Sequence, residues 1–122
     1  MKAIVTGHTK GLGEAIAREL LERGIPVLGL ARGSAVELGS DFSRLLREVE
    51  IDLSDVAALE QWLASGALAN YLAGSGAALL VNNAGVVWPV GPLPAQDPAA
   101  VVKAVTLNVA APLALSSAVA KA

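Results

Sequence analysis

Cysteine is absent from the 122 residues. That removes disulfides, thiolate nucleophiles and cysteine-based zinc sites. Histidine occurs once, at His8, so a histidine-rich centre cannot be built and no metal site is expected. Aromatic side chains make up only 3% of the chain: Phe42, Trp62, Tyr71 and Trp88. The core must therefore come from Val, Leu, Ile and Ala, which suits a buried parallel sheet covered by helices. Strong charge of either sign is also missing. The formal net charge is −2, without the basic bias that a nucleic-acid surface requires. Long apolar runs are scarce as well. The stretches 77–81 and 109–114 are broken by Asn or Pro, and no uninterrupted run reaches the ~18 residues of a membrane span. Met1-Lys2 leads straight into a short strand-like run, without the apolar segment and cleavage site of a secretory signal. The expectation is a cytoplasmic protein with no nucleic-acid or membrane partner.

Hydrophobic residues amount to 54% and charged residues to 16%, enough for a packed core. The length fits one domain over residues 1–122. Residues 2–6 read as a strand ending in a glycine-rich turn. Residues 11–23 read as a helix, with Leu12, Ile16, Leu20 and Leu21 on one face. Glu14–Arg18 and Glu19–Arg23 are i,i+4 pairs in the favourable order. Gly24 ends the helix and Pro26 blocks its continuation. Residues 27–31 form a second buried strand, and the polar stretch 32–43 has no assigned structure. Residues 45–51 form a third strand whose edges are made polar by Arg47, Glu48 and Glu50. Ser54 is the expected N-cap of the next helix, with Asp55 in its first turn. That helix runs to about Tyr71, with a break at Ser65-Gly66. After the turn Gly74-Ser75-Gly76, the apolar run 77–81 is a fourth strand with central character. A loop over 82–95 leads to Asp97 as N-cap and Pro98 as first helical residue. Pro112 should kink this last helix or start a new turn in it. Strands alternating with helices imply an α/β fold: a doubly wound parallel sheet of the Rossmann type, of which about four strands are present.

The turn Thr6-Gly7-His8-Thr9-Lys10-Gly11-Leu12-Gly13 joins a strand to an amphipathic helix. Gly7 and Gly11 let the chain bend and let backbone approach a pyrophosphate. Gly13 permits close contact between helix and sheet. The helix start then offers free N–H groups and the positive end of its dipole to phosphates. The position after the first strand is the context such a motif requires. A tight structural turn is the competing reading.

The spacing is Gly-x-x-x-Gly-x-Gly, and with it the sequence resembles the short-chain dehydrogenase/reductase family. Three further segments carry the resemblance. Ile51-Asp52-Leu53 follows the third strand, where the family places an Asp near the adenine. Asn82-Asn83-Ala84-Gly85 follows the fourth and matches the family's Asn-Asn-Ala-Gly motif residue for residue. Asn108, in Leu107-Asn108-Val109, falls where the family has its helix Asn. These features occur in the family's order and cover nearly the whole chain. The Thr-Lys-Gly-Leu-Gly turn is similar to small carbonyl reductases of the benzil or sepiapterin reductase kind.

The resemblance implies a cofactor site built from Gly7, Thr9, Lys10, Gly11, Leu12, Gly13, Arg32, Asp52, Leu53, Asn83, Ala84 and Gly85. Asp52 can accept a hydrogen bond from the adenine amino group, or can simply be a polar strand end. Asn82 can tie neighbouring strands through its amide, and the small Ala84 and Gly85 let backbone pass close to a ribose. Asn108 belongs in the family to a catalytic tetrad that organises a water-linked proton relay; a solvated helix Asn is the alternative. NAD sites usually carry an acidic residue about 20 residues past the glycine turn. Here the second strand ends Leu30-Ala31-Arg32. Lys10 and Arg32 can neutralise a 2′-phosphate, and Arg32 can stack on adenine. NADP(H) is therefore the preferred cofactor, with NAD(H) the alternative and Glu37, further on in the loop, the main argument for it. Two solvated surface cations would be the functionless reading. Trp88 could line a substrate pocket, though a loop aromatic of this kind more often serves packing, and it carries no assignment.

The family's Ser and Tyr-x-x-x-Lys lie beyond the helix of Asn108, and none of them occurs in these residues. Tyr71 is followed four positions later by Ser75, so it is no displaced proton donor. The chain reads as C-terminally truncated relative to the family. An exposed fourth strand and an uncovered helix face (Val101, Val105, Val109) are the expected consequences. The implied function of the intact protein is hydride transfer between NADP(H) and a small-molecule carbonyl or alcohol, in a homo-oligomer. A non-enzymatic NADP(H)-binding sensor or assembly module is the alternative.

Overall fold

Alternation along the first strand, β1 (Lys2–Thr6), sorts the interior into two layers. Ala3 and Val5 pack into one buried cluster, and Ile4 packs into a second on the opposite face. The computed structural model describes residues 1–85 and 91–122. Trp88 lies outside the described residues. Within them β1 joins β2 (Val27–Ala31), β3 (Leu46–Glu50) and β4 (Ala78–Val81) in one all-parallel sheet of order β3-β2-β1-β4.

Parallel neighbours need crossovers, and helices supply them. α1 (Gly11–Glu22) links β1 to β2, and α2 (Val36–Asp41) links β2 to β3. α3 (Val56–Ala64) and α4 (Ala67–Leu72) link β3 to β4. A 3₁₀ turn (Leu93–Ala95) precedes α5 (Pro98–Val105), which passes through a π-helical segment (Thr106–Ala110) into α6 (Ala111–Lys121). Ala17, Leu21 and Leu38 cover one face of the sheet; Leu59, Leu68, Tyr71 and Leu115 cover the other. Helices on both faces of a parallel sheet are the expected Rossmann-type arrangement.

Local chemistry accounts for the element ends. α1 buries Gly13, Ala17 and Leu21, an i,i+4 row. Leu12, expected on that face, is one residue off the row and is 69% exposed. Arg23 pairs with Glu19 at 2.9 Å, whereas Arg18 reaches Asp41 at 3.3 Å instead of Glu14. Gly24, at φ +76°, closes the helix: its N–H bonds the Leu21 carbonyl, and that of Ile25 bonds Leu20. The stretch 32–43 contains α2, six residues long and too short to show a period in sequence. Asp55, not Ser54, caps α3, its carboxylate accepting from the Ala58 N–H at 3.1 Å. Gly66, at φ +82°, separates α3 from α4 at the expected break. Asp97 caps α5 through the Ala99 N–H at 3.2 Å, with Pro98 in first place.

Pro112 acts one turn upstream of itself. A helical proline excludes the carbonyl four residues earlier, here that of Asn108. The backbone widens into the π-helical segment, where the Ala111 N–H bonds the Thr106 carbonyl five residues back. The expected kink is thus a widened turn carrying Asn108. The continuous helix Pro98–Lys121 has 24 residues and is long and apolar enough, by length and composition, to cross a membrane. Ala111 and Leu115 on it are buried in the cluster that covers the sheet.

β4 is not central among the described residues. It pairs only with β1, and Leu79 is 37% exposed. Val105 and Val109 are also exposed, together with Val102 and Leu113, whereas Val101 is partly buried.

Candidate functional site

All four strands run the same way, so the loops after their carboxyl ends gather at one edge of the sheet. The order β3-β2-β1-β4 reverses direction at β1, and a crevice opens where the chain leaves β1 and β4 for opposite sides. Two loops are clasped there. The Thr6 hydroxyl oxygen, buried at the end of β1, accepts backbone N–H bonds from Asn83 at 3.0 Å and Ala84 at 2.9 Å. Asn83 returns its side-chain amide to the Gly7 carbonyl at 3.1 Å. The strand tie expected of Asn82 is therefore made by Asn83. The Asn82 amide turns to the Ser116 hydroxyl on α6, at 3.4 Å.

The glycines divide the work of the turn. Gly7 has φ +67° and lies so close to Ala84 that a Cβ would stand 3.1 Å from its Cα. Gly11 has φ +60°, and a Cβ there would meet nothing within 4 Å. Its backbone therefore faces open space at the start of α1. The N-cap residue, Lys10, makes no side-chain bond to the first N–H groups of that helix. The result is an exposed set of donors at the positive end of a twelve-residue helix, a ready anion site. At Gly13 a Cβ would collide with the Gly7 carbonyl and the Asn83 amide. Gly13 therefore serves the packing of the turn, behind the open face.

A cavity of about 620 Å³ occupies the crevice, within the ordinary range for small-molecule sites. Of the residues singled out in the sequence, Gly7, Thr9, Lys10, Arg32, Asp52, Leu53, Ala84 and Gly85 line it. Gly11, Leu12, Gly13, Asn83 and Asn108 are not among its lining. Gly13 and Asn83 lie in the clasp behind it, and Leu12 projects to solvent. Asn108 stands against Gly85, whose added Cβ would come 3.0 Å from the Asn108 Oδ1. Glu37, in the first turn of α2, is exposed and does not line the cavity.

Electrostatics give the cavity a sign. Lys10, Arg32 and Lys103 line it against one carboxylate, Asp52. The Ser54 hydroxyl donates to Asp52 at 2.6 Å and the Ser54 backbone N–H at 2.9 Å. The hydroxyl bond does most to hold the carboxyl below the usual Asp range, with the backbone bond and the Arg32 and Lys103 charges adding to it and burial opposing them. Asp52 is thus an ionised acceptor at neutral pH. A lining with an excess of cations, backbone donors and apolar walls from Leu30, Ile51, Leu53 and Leu107 suits a polyanion carrying a flat apolar group.

Two residues were missed in the sequence. Lys103 reaches the cavity from α5; a single Lys in an Ala/Val-rich helix carries no local signal of this. His8 is fully buried, with Nε2 2.7 Å from the Glu48 Oε2. The facing glycine at position 29 was its only sequence hint.

The chain matches the short chain dehydrogenase family model over residues 1–122. Benzil reductase ((S)-benzoin forming) of Bacillus cereus is 32% identical over 117 residues, covering 93% of this chain and 47% of the reductase. A crystal structure of a short-chain dehydrogenase/reductase from Burkholderia vietnamiensis superposes with a TM-score of 0.96 at 54% identity, over 98% of this chain and 56% of that one. A metagenomic short-chain oxidoreductase solved in complex with NADP gives 0.83 at 32% identity, over 99% and 55%. The chain thus spans about half the length of the relatives it matches.

Proposed function

The chain belongs to the short-chain dehydrogenase family, and from that premise we propose that the cavity holds NADP(H) and serves hydride transfer to or from a carbonyl or alcohol carbon. One observation carries the cofactor choice. Lys10 and Arg32 line the same cavity, Ala31 stands where an acid would select NAD, and Glu37 is exposed and outside the lining. The NADP in the similar metagenomic oxidoreductase supports the same reading.

The residues present fit such a cofactor. The open backbone at Gly11 and the uncapped start of α1 would hold the pyrophosphate, with Gly7, Thr9, Leu12 and Gly13 shaping the turn. Lys10 and Arg32 would take the 2′-phosphate. Asp52 would accept from the adenine amino group, beside Leu53. Ala84 and Gly85 leave room for a ribose, and Asn83 holds their loop in place. When bound, the nicotinamide would supply or receive the hydride. Asn108 would keep a water near the reacting oxygen from its place behind Gly85. Tyr71 is unsuited to donating the proton: it is buried, and its hydroxyl is spent on the Ala3 carbonyl at 3.1 Å. The proton donor implied by the family, Tyr-x-x-x-Lys, is assigned to the whole protein, together with homo-oligomeric assembly, a small-molecule substrate and a cytoplasmic setting. The lack of that motif in these residues keeps a second reading alive, a cofactor-binding module without chemistry.

Fluorescence titration with NADPH and NADH tests the cofactor assignment. NADPH is expected to bind more tightly, and Arg32→Asp to reverse the order. Equal affinities in the unmutated protein would sink it. Oxidation of NADPH dependent on an added carbonyl compound separates the enzyme from the binding module.

A further inference from the structure

His8 belongs to the glycine-rich turn, between Gly7 and Thr9, yet it is not part of the cavity lining. Its ring is completely buried. The space it fills exists because position 29 is glycine: a Cβ on Gly29 would fall on the imidazole itself. Strand pairing sets Gly29 opposite Glu48. The slot over β2 therefore opens toward the Glu48 carboxylate, and His8 Nε2 meets Glu48 Oε2 at 2.7 Å. The same oxygen accepts the backbone N–H of Ala35 at 2.8 Å. Ala35 closes the 32–35 segment that starts with Arg32. A second bond, from the Ser34 hydroxyl to Glu50 at 3.2 Å, ties that segment to β3 again. An unbroken line of contacts thus runs from the turn carrying Lys10, through His8 and Glu48, to the segment carrying Arg32.

This line is an expensive way to fill space. His8 Nδ1 is buried and has no hydrogen-bond partner among the described residues. An unsatisfied buried nitrogen destabilises the fold, because its bond to water is given up without replacement. An alanine at position 29 under a small residue at position 8 would fill the slot without an orphaned atom. Stability alone does not select the pair that is present.

We infer that His8 and Glu48 are a positioning pair that sets the spacing between Lys10 and Arg32, so that both cations converge on one ribose 2′-phosphate. The inference rests on the NADP(H) reading above. Neither residue touches the cofactor. His8 fixes the turn on one side, and Glu48 fixes the Arg32 segment on the other. Loss of either end leaves the cations in place as charges but frees the distance between them. NADH has no 2′-phosphate and is indifferent to that distance.

The discriminating readout is the ratio of NADPH to NADH affinity, measured by fluorescence titration on the full-length protein. His8→Ala and Glu48→Ala are each expected to lower that ratio about tenfold, almost wholly through weaker NADPH binding, the size of one lost charge-assisted bond. His8→Gln, whose amide can still donate toward Glu48, should restore most of the preference. Glu48 lies on the edge strand with its side chain 21% exposed, so Glu48→Ala gives the answer if His8→Ala does not fold. Equal weakening of both cofactors would mean that the pair serves the fold only, and would overturn the inference. An unmutated protein without NADPH preference would overturn the cofactor reading itself, and the inference with it.

Discussion

Asn83 donates its side-chain amide to the Gly7 carbonyl at 3.1 Å, while its backbone N–H donates to the Thr6 hydroxyl at 3.0 Å. The loop after β4 is thereby locked to the turn after β1. Asn83→Ala leaves the Gly7 carbonyl without that donor in a partly buried position. A loss of about 1 to 2 kcal/mol follows, a Tm lower by roughly 5 °C for a chain of this size. Asn83→Asp should be worse, because it sets a carboxylate oxygen against a carbonyl oxygen. Thermal scans of the three proteins check the order; an Asp variant as stable as the wild type would contradict it.

Gly11 and Gly13 are two positions apart and should fail in different ways. An added methyl at Gly13 strikes the Gly7 carbonyl and the Asn83 amide, both fixed in the clasp. Gly13→Ala is expected to destabilise the fold by about 1 to 3 kcal/mol, the usual range for overpacking. At Gly11 the methyl meets no atom, and only the backbone strain of φ +60° remains, about 1 kcal/mol. On the proposed cofactor site the methyl would, however, stand in the space that a phosphate needs to reach the start of α1. Gly11→Ala should therefore weaken NADPH binding at least about tenfold, out of proportion to its effect on Tm. Titration and melting on the same two variants separate the two roles.

The residues that were legible in the sequence are those whose signal is local. A glycine triplet between a strand and a helix, an Asn-Asn-Ala-Gly after an apolar run and an Asp after a strand are contiguous patterns, and eight of the twelve expected cofactor residues line the cavity. The misread elements depend on distant partners. Leu12 fits the apolar stripe by spacing, but it is Gly13 that faces inward, against the Gly7 carbonyl and the Asn83 amide, since only glycine lets the helix come so close. Ser54 lost the cap to Asp55 because Asp52 claimed its hydroxyl. Glu48 looked like edge polarity, and His8 like an isolated turn residue. Their pairing needs the register that aligns Gly29 with Glu48, which no local window contains. Arg18 likewise chose Asp41, 23 residues away, over Glu14 in its own helix.

Gly85 and Asn108 form another such pair. The helix widens around Asn108 because Pro112 displaces its carbonyl, and the Asn108 side chain comes up against Gly85. A methyl on Gly85 would press on that side chain, 3.0 Å from Oδ1. If Asn108 holds a water in the proton path, Gly85→Ala and Asn108→Ala should both lower kcat of the full-length protein, by about 10-fold or more. The NADPH dissociation constant should move less than about threefold for Asn108→Ala, which lies outside the cavity lining. A change confined to cofactor affinity, with kcat untouched, would remove Asn108 from the catalytic set.

Tyr71 offers a test of the fold that is independent of any cofactor. Its ring is buried, and its hydroxyl donates to the Ala3 carbonyl at 3.1 Å in the middle of the sheet. Burial pushes the phenol up to about 12, against a smaller opposing pull from the Arg47 cation, whose guanidinium lies 5.9 Å from the ring. In the unfolded chain the same phenol deprotonates near pH 10. Between about pH 10 and 12 the folded state therefore binds more protons than the unfolded one, and stability must fall as pH rises. Below pH 10 the phenol is neutral in both states and contributes no slope. Across the window the loss should approach about 2 kcal/mol. Tyr71→Phe cannot titrate. It should give up the Ala3 bond at every pH, about 1 kcal/mol, and then lose less stability than the wild type between pH 9.5 and 11.5. Urea denaturation of both proteins at those two values measures the difference of slopes. Because the chain has one tyrosine, tyrosinate absorbance in the same samples reports this residue alone. Ionisation near pH 10 in the folded protein would show that the Ala3 bond and the surrounding leucines do not shield it.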